Sequence, residues 1–151
     1  MIRKMIAATC MIFSCSAAYG QEIMTGRELA GRSTYVKYCA SCHGESAEGQ
    51  ANWELTNESG ELPAPPHNEG GHTWRHSDQD LVKIITDGWR DPFNRTQRLT
   101  MPGFKGVLTS SEIKNVVDYL RTLWTSDQQT FQREQSMSER MPNGQPSLAS
   151  E

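Results

Sequence analysis

Three stretches of the chain place apolar residues at helical spacing behind a helix-start pattern. Each stretch opens with a Ser or Thr that is followed three residues later by an acidic residue. The pairs are Thr25 with Glu28, Ser77 with Asp80, and Thr109 with Glu112. Behind the third pair, apolar side chains recur at i, i+3, i+4, i+7, i+10 and i+11. No stretch alternates apolar and polar residues well enough to predict a strand, so the pattern predicts three helices joined by loops.

Long polar segments separate and follow these helices. Residues 44–71 are rich in Gly, Pro, Asn and Glu, and residues 90–100 are polar and lead into Met101-Pro102-Gly103-Phe104. After residue 125 the chain is rich in Gln, Ser and Glu. We therefore predict that residues 126–151 form a polar, flexible tail that can begin as a helix and ends disordered.

The first 20 residues have the composition of a secretory signal peptide. A basic pair precedes the mostly apolar residues 5–13, and Ala18 and Gly20 supply small residues before a cleavage point at Gln21. The apolar stretch is shorter than the roughly 20 residues that span a bilayer. The residues before Cys15 match a lipobox poorly, so we do not expect a lipid anchor on this cysteine. We expect cleavage of residues 1–20 and export to the periplasm, without stable membrane insertion afterwards.

Removal of this segment leaves a chain that is poor in apolar residues. Of the 151 residues 36% are apolar, but only 40 of the 131 residues from Gln21 onward are. That share is about 31%, well below the 45–50% of ordinary globular proteins. Either much of the chain is disordered or an apolar group joins the core from outside. The net charge of −3 argues against a nucleic-acid partner, which requires clustered positive charge.

Cleavage also leaves two cysteines, both within Cys39-Ala40-Ser41-Cys42-His43. This is the attachment pattern of a c-type haem. Two thiols about one helical turn apart can each add to a vinyl group on the porphyrin edge, and His43 is then held where its imidazole can bind iron. The pattern predicts one haem c, attached through Cys39 and Cys42, with His43 as an axial ligand.

Three other uses of the same residues compete with haem attachment. A thioredoxin-like redox pair should follow a strand in a βα pattern, and none is predicted here. A zinc site that borrowed His72 and His76 would have a far longer gap from Cys42 than zinc fingers have. A local disulfide would leave His43 without a role. The export signal and the helix pattern favour the haem over all three.

A second axial ligand should come from a loop that crosses the opposite face of the haem. Met101 is the best candidate, because its thioether is followed by the stiff Pro102 and precedes the last helix, although lone methionines are also common core filler. His67, His72 and His76 are rivals. A Met sulfur favours ferrous iron and raises the reduction potential, whereas a second histidine would lower it.

At these motifs the chain resembles the small monohaem class I cytochromes c, from Thr25 to about Trp124. The matching motifs are Cys-Ala-Ser-Cys-His-Gly at 39–44, Thr-Met-Pro-Gly-Phe at 100–104 and Val-Val-Asp-Tyr-Leu at 116–120. The resemblance implies an all-α, cytochrome c-like domain over residues 21–125, with three main helices and long loops around one covalently bound haem. It also favours Met101 over the histidines as the second ligand.

The resemblance implies particular contacts as well. The first and last helices should cross through a small residue and an aromatic pair, for which Gly31, Tyr35 and Tyr119 are the matches. A proline carbonyl should accept the ring N–H of His43 and orient it. Pro65 is our choice for this carbonyl.

Two of these implied contacts have close alternatives. Pro63 and Pro66 are nearly as good as Pro65 for the carbonyl that orients the ring. A Trp often reaches a haem propionate in this family, and Trp74 lies where one could. Ordinary core packing explains Trp74 about as well.

The predicted function is that of an exported one-electron carrier, not an enzyme, that docks transiently with redox partner proteins. If Met101 does not bind iron, the alternative is a peroxidase-like or gas-binding haem protein. A further alternative is a dedicated electron-donor subunit of a larger oxidoreductase. A porphyrin in the core would also explain the low apolar content, so we expect the chain without haem to fail to fold stably.

Overall fold

The computed structural model describes residues 23–96 and 98–140. The predicted signal peptide and residues 141–151 lie outside this part of the chain. The elements are α1 (Gly26–Tyr38), the short α2 (Ala40–His43), a 3₁₀ turn at Thr73–Arg75, α3 (Asp78–Asp87), α4 (Ser110–Arg121) and α5 (Ser126–Arg140). The described residues contain two isolated β-bridges, and neither belongs to a strand. None of the helices described here is long and apolar enough to cross a membrane.

The three predicted helix starts are confirmed by α1, α3 and α4. Thr25 and Thr109 each form a capping box with the glutamate three residues later, so the helix N-terminal N–H groups find acceptors. Ser77 caps α3 by accepting the backbone N–H of Asp80 at 3.1 Å. Gly88 ends α3 at φ +82°, a conformation that glycine adopts without a steric penalty.

The crossing of α1 and α4 forms the centre of the fold. A Cβ on Gly31 would collide with the backbone carbonyl of Asn115, so glycine permits the close approach of the two helices. One turn along, the ring of the fully buried Tyr35 contacts Tyr119, with centroids 5.3 Å apart. The structure therefore contains the crossing that the family resemblance implied.

The segment after residue 125, for which we predicted a polar tail that can begin as a helix, forms α5 and packs on the domain. Its Gln132 is completely buried, and Nε2 donates to Asp78 Oδ1 at 2.7 Å and to Ser136 Oγ at 3.1 Å. The same Ser136 hydroxyl accepts the N–H of Asp78 at 2.9 Å. The helix therefore packs through polar side chains at the start of α3. Since it has no apolar stripe, its packing is invisible to hydrophobic periodicity.

Candidate functional site

The Cys-x-x-Cys-His segment folds as a helical turn directly after α1. The N–H of Cys39 donates to Tyr35 O at 2.8 Å, and the N–H of His43 donates to Cys39 O at 3.0 Å. Gly44 then ends the turn at φ +83°. The turn presents Cys39, Cys42 and His43 to one cavity, as the attachment chemistry requires.

Cys39 is half-buried and Cys42 is exposed. Burial, and to a smaller extent the neighbouring Cys42, raises the pKa of the Cys39 thiol to about 11. Among the described residues no strand precedes the turn, whereas a thioredoxin-like redox pair accompanies a βαβ pattern. In the described residues there is also no group of three or more His, Cys, Asp or Glu side chains that could hold a metal ion. The site therefore differs from both the thioredoxin-like and the zinc alternatives.

The ring of His43 is oriented by the backbone carbonyl of Pro65, which lies 2.9 Å from Nδ1. Because a carbonyl only accepts, Nδ1 carries the proton and the lone pair of Nε2 is available to a metal. Burial lowers the pKa of His43, and the bond to Pro65 opposes this in part. Of the three prolines considered, the structure brings Pro65 to His43.

Two glycines determine the position of this carbonyl. Gly49 has φ +72°, and a Cβ there would lie 2.5 Å from Pro66 N and 2.7 Å from Pro65 C. On the other side, a Cβ on Gly71 would collide with Pro66 O. The Pro65–Pro66 segment thus passes between two residues that have no side chain, and this close packing directs Pro65 O at His43.

A cavity of about 520 Å³ adjoins the Cys-x-x-Cys-His turn. Its volume is within the range of cofactor pockets. Apolar and aromatic side chains contribute much of the wall, among them Tyr38, Leu81, Ile84 and Phe104. Met101 lines the same cavity as His43. Two thiols, an imidazole and a thioether therefore converge on one largely apolar space, and this donor set fits a haem c with its iron.

Met101 is held by a short antiparallel pairing with Trp89, which follows the C-cap of α3. Its N–H donates to Trp89 O at 2.9 Å, and the N–H of Trp89 donates to Met101 O at 2.9 Å. Gly103 packs closely on Asp87, where a Cβ would lie 2.7 Å from the backbone carbon. Phe104 N–H then donates to Ile85 O at 3.0 Å. The end of α3 therefore carries the Met101 segment.

A buried polar cluster, which the sequence did not reveal, links the loop before Met101 to the loop that precedes Pro63. Glu61 is buried, with only 4% of its surface exposed. Its carboxylate accepts a hydrogen bond of 2.8 Å from Asn94 Nδ2 and pairs with Arg98. Asp91, also buried, accepts the N–H groups of Phe93 at 2.8 Å and Leu62 at 3.3 Å. The partners that join the two loops are 29 to 37 residues apart, so no local pattern could have indicated them.

The three histidines considered as rivals of Met101 all line the cavity. His67 stacks on His43, with ring centroids 3.9 Å apart, and His72 stacks on Trp53 at 5.6 Å. Burial lowers the pKa of His67 well below its ordinary value, with smaller contributions from His43 and His72. The His67 ring is therefore neutral at physiological pH.

Trp74 does not line the cavity in the part of the chain described here. Its Nε1 donates to Gly71 O at 2.9 Å, and its ring packs edge-to-face on Phe131 of α5 at 5.4 Å. The tryptophans that do line the cavity are Trp53 and Trp89. The structure thus does not bring Trp74 to the other predicted site residues, because α5 provides its packing partner.

Comparison with known protein families assigns this chain to one of them. A sequence-family profile described as cytochrome C oxidase, cbb3-type, subunit III matches residues 26–120. The chain belongs to this family. The resemblance to cytochrome c is confirmed, and with it a covalently bound haem c and a role in electron transfer.

Individual relatives of this cytochrome c domain are distant. The cbb3-type cytochrome c oxidase subunit FixP of Azorhizobium caulinodans is 24% identical over 102 residues, which are 68% of this chain and 31% of FixP. The chain thus spans about a third of that relative. The crystal structure of cytochrome CL from Methylophaga aminisulfidivorans matches with a TM-score of 0.50 at 22% identity, over 80% of this chain and 70% of that one. This likeness supports the fold alone, and the predicted all-α cytochrome c fold is confirmed.

Proposed function

We propose that this cytochrome c domain is an exported one-electron carrier in which His43 and Met101 bind the iron of a haem attached through Cys39 and Cys42. The observation that carries the proposal is that all four side chains line one cavity of about 520 Å³. When bound, the haem supplies a reversible couple between ferric and ferrous iron.

The chain's own residues explain why such a site would transfer electrons rather than transform a substrate. Pro65 O holds the proton of His43 on Nδ1, so that Nε2 can serve as a fixed ligand. The Met101 thioether, held against Trp89, would fill the opposite position and favour the ferrous state. Ligation by both protein groups would leave no coordination position for peroxide or a gas.

A reversible redox titration of the purified holoprotein, together with a peroxide-turnover assay, tests this proposal. We expect one transition with a one-electron slope and no peroxide turnover in the wild type. The Met101→Ala variant should titrate at a lower potential and acquire ligand binding or peroxide turnover at the opened position. Peroxide turnover by the wild type would overturn the carrier role in favour of a haem enzyme.

We also propose that residues 1–20 direct export and are removed before Gln21. The support is the basic, apolar and small-residue order of this segment. Expression of the full chain in a bacterium that attaches haem c should yield a periplasmic protein. Its intact mass should equal that of residues 21–151 plus one haem. A protein that keeps residues 1–20, or carries an acyl group on Cys15, would contradict this.

One observation favours a second candidate function, that of an electron-donor subunit or domain of an oxidase. The matching family and FixP are both described as parts of cbb3-type cytochrome c oxidase. Gentle detergent extraction of membranes from the native host, followed by sizing chromatography, separates the two proposals. A free carrier elutes at the size of a small protein, whereas a fixed subunit co-elutes with haem-containing membrane proteins.

A further inference from the structure

We infer that His67 is a positioning residue that fixes the ring plane of the iron ligand His43. The inference rests on the proposed function, because it takes His43 as an axial ligand. It starts from the stack of the two imidazoles, with centroids 3.9 Å apart and planes inclined by 27°. At this distance the rings are in face-to-face van der Waals contact.

The His67 ring is itself tightly held. Its Nδ1 lies 2.8 Å from Thr73 Oγ1, and that hydroxyl donates to Pro66 O at 3.3 Å. Since the hydroxyl proton is directed at Pro66, Nδ1 of His67 is the donor to Thr73. The Tyr35 ring adds an edge-on contact at 6.4 Å, inclined by 76°. The stacked face of His67 therefore cannot turn away from His43 without breaking a hydrogen bond.

The backbone of His67 is fixed from both sides. Its N–H donates to Ala47 O at 2.8 Å, and its carbonyl accepts Trp124 Nε1 at 2.9 Å. Trp124 is buried just after the end of α4. His67 is thus connected to the loop after His43 and to the segment that follows α4. It forms a rigid platform beside the ligand.

This platform supplies a constraint on His43 that the bond to Pro65 lacks. A hydrogen bond at Nδ1 directs one edge of the imidazole, but it leaves the ring some freedom to rotate about the line between Cβ and the acceptor. A second ring packed on its face removes that freedom. Second-shell contacts of this kind orient ligands and adjust the metal. The plane of an axial imidazole also sets the magnetic anisotropy of ferric iron, so the constraint has a spectroscopic readout.

The test compares His67→Leu with His67→Phe in haem-loaded full-length protein labelled with ¹⁵N-histidine. Leu keeps apolar volume but no planar face, whereas Phe keeps the face and loses the bond to Thr73. We expect His67→Leu to shift the hyperfine ring resonances of His43, and His67→Phe to return them most of the way to the wild-type values.

The control is Thr130→Val, which alters an exposed threonine of α5 outside the cavity. It should leave the His43 resonances near their wild-type positions. If His67→Leu does not fold, Thr73→Val provides a second test, because it removes the bond to His67 Nδ1 together with the longer bond of 3.3 Å to Pro66 O. It should shift the His43 resonances in the same direction and by less.

Two results would overturn the inference. The first is unchanged His43 resonances in both His67→Leu and Thr73→Val. The second is loss of low-spin iron in His67→Leu, which would make His67 itself a ligand. Wild-type protein without hyperfine-shifted His43 resonances would instead refute the proposed His43 ligation. The failure of the inference and the failure of the proposed function are therefore distinguishable.

Discussion

The two sides of the cavity hold their proposed iron ligands in different ways. His43 lies in a helical turn, and its ring contacts a backbone carbonyl and a stacked imidazole. Met101 lies in a loop whose backbone pairs with Trp89 and then contacts the end of α3 at Gly103 and Phe104. The loop before Met101 is held by side chains such as Glu61 and Arg98. Both ligands thus have backbone support, but the Met101 side also depends on side-chain contacts in the loop that leads to it.

This difference has a functional consequence. Moving His43 would require the backbone at Gly49, Pro65 and Gly71 to separate, and close-packed backbone rarely gives way. Displacing Met101 would require only that one loop open locally, at a cost in a few hydrogen bonds. We therefore expect competing ligands to displace Met101 more readily than His43.

The largest effect is expected on the His43 side, from Gly49→Ala. Gly49 combines positive φ with close backbone neighbours, so the variant should lose at least about 3 kcal/mol of unfolding free energy. Gly106→Ala is the matched control, because Gly106 has φ +78° and no atom within 4 Å of an added Cβ. It should cost only about 1 kcal/mol. Guanidinium unfolding of the holoproteins measures both values. Equal losses would show that the close approach at Gly49 contributes nothing.

An intermediate effect is expected on the Met101 side, from Glu61→Gln. The variant keeps an acceptor for Asn94 but loses the charge that pairs with Arg98, which should loosen the loop by about 1 kcal/mol. Added imidazole should then displace Met101 with roughly fivefold higher affinity. Titration of the ferric protein with imidazole measures this. The control is Glu58→Gln, which changes an exposed acid of the same loop. An affinity unchanged by Glu61→Gln would separate Glu61 from the Met101 loop.

The smallest effect is expected in the outer layer, where α5 packs on the start of α3. Burial alone would raise the pKa of Asp78, but hydrogen bonds from Gln132 and Arg121 and the charge of Arg121 outweigh it and lower this pKa. A lowered folded-state pKa stabilises the protein above the ordinary value of 3.8, and the contribution is lost as the pH falls through the lowered value. Because Asp78 is only partly buried and solvent screens its charge, Asp78→Asn should cost about 0.5 kcal/mol at neutral pH.

The check is the stability difference between wild type and Asp78→Asn at several pH values. It should be constant from neutral pH down to roughly pH 5 and shrink below that. Asp80→Asn is the control, since it removes an exposed acid from the same helix turn. A difference that grows on acidification would reverse the sign of the assigned pKa shift.

The sequence predicted those parts of the fold that apolar periodicity and helix capping determine. The helices α1, α3 and α4 begin at the expected caps, and Gly31 and Tyr35 meet α4 as the family resemblance implied. Local chemistry also identified the Cys-x-x-Cys-His turn. These features depend on residues close together in the chain, and such residues leave a readable pattern.

The features that sequence reasoning missed depend on polar contacts between distant residues. Gln132 looks like a surface residue of a polar helix, yet it is fully buried against Asp78. The bond between Asn94 and Glu61 joins two loops 33 residues apart. The position of Trp74 also depends on a distant residue, because its neighbour Phe131 belongs to a helix that apolar periodicity does not predict. Hydrogen-bond partners of this kind are determined by the folded arrangement and not by local propensity.

The most direct test of the central claim, ligation of one haem iron by His43 and Met101, is the weak far-red absorption band of a methionine–ferric iron bond. We predict that oxidised wild-type protein shows this band and that Met101→Ala loses it. Met137→Ala, which alters an exposed methionine of α5, should retain it. Persistence of the band in Met101→Ala, or its absence from the wild type, would contradict the account.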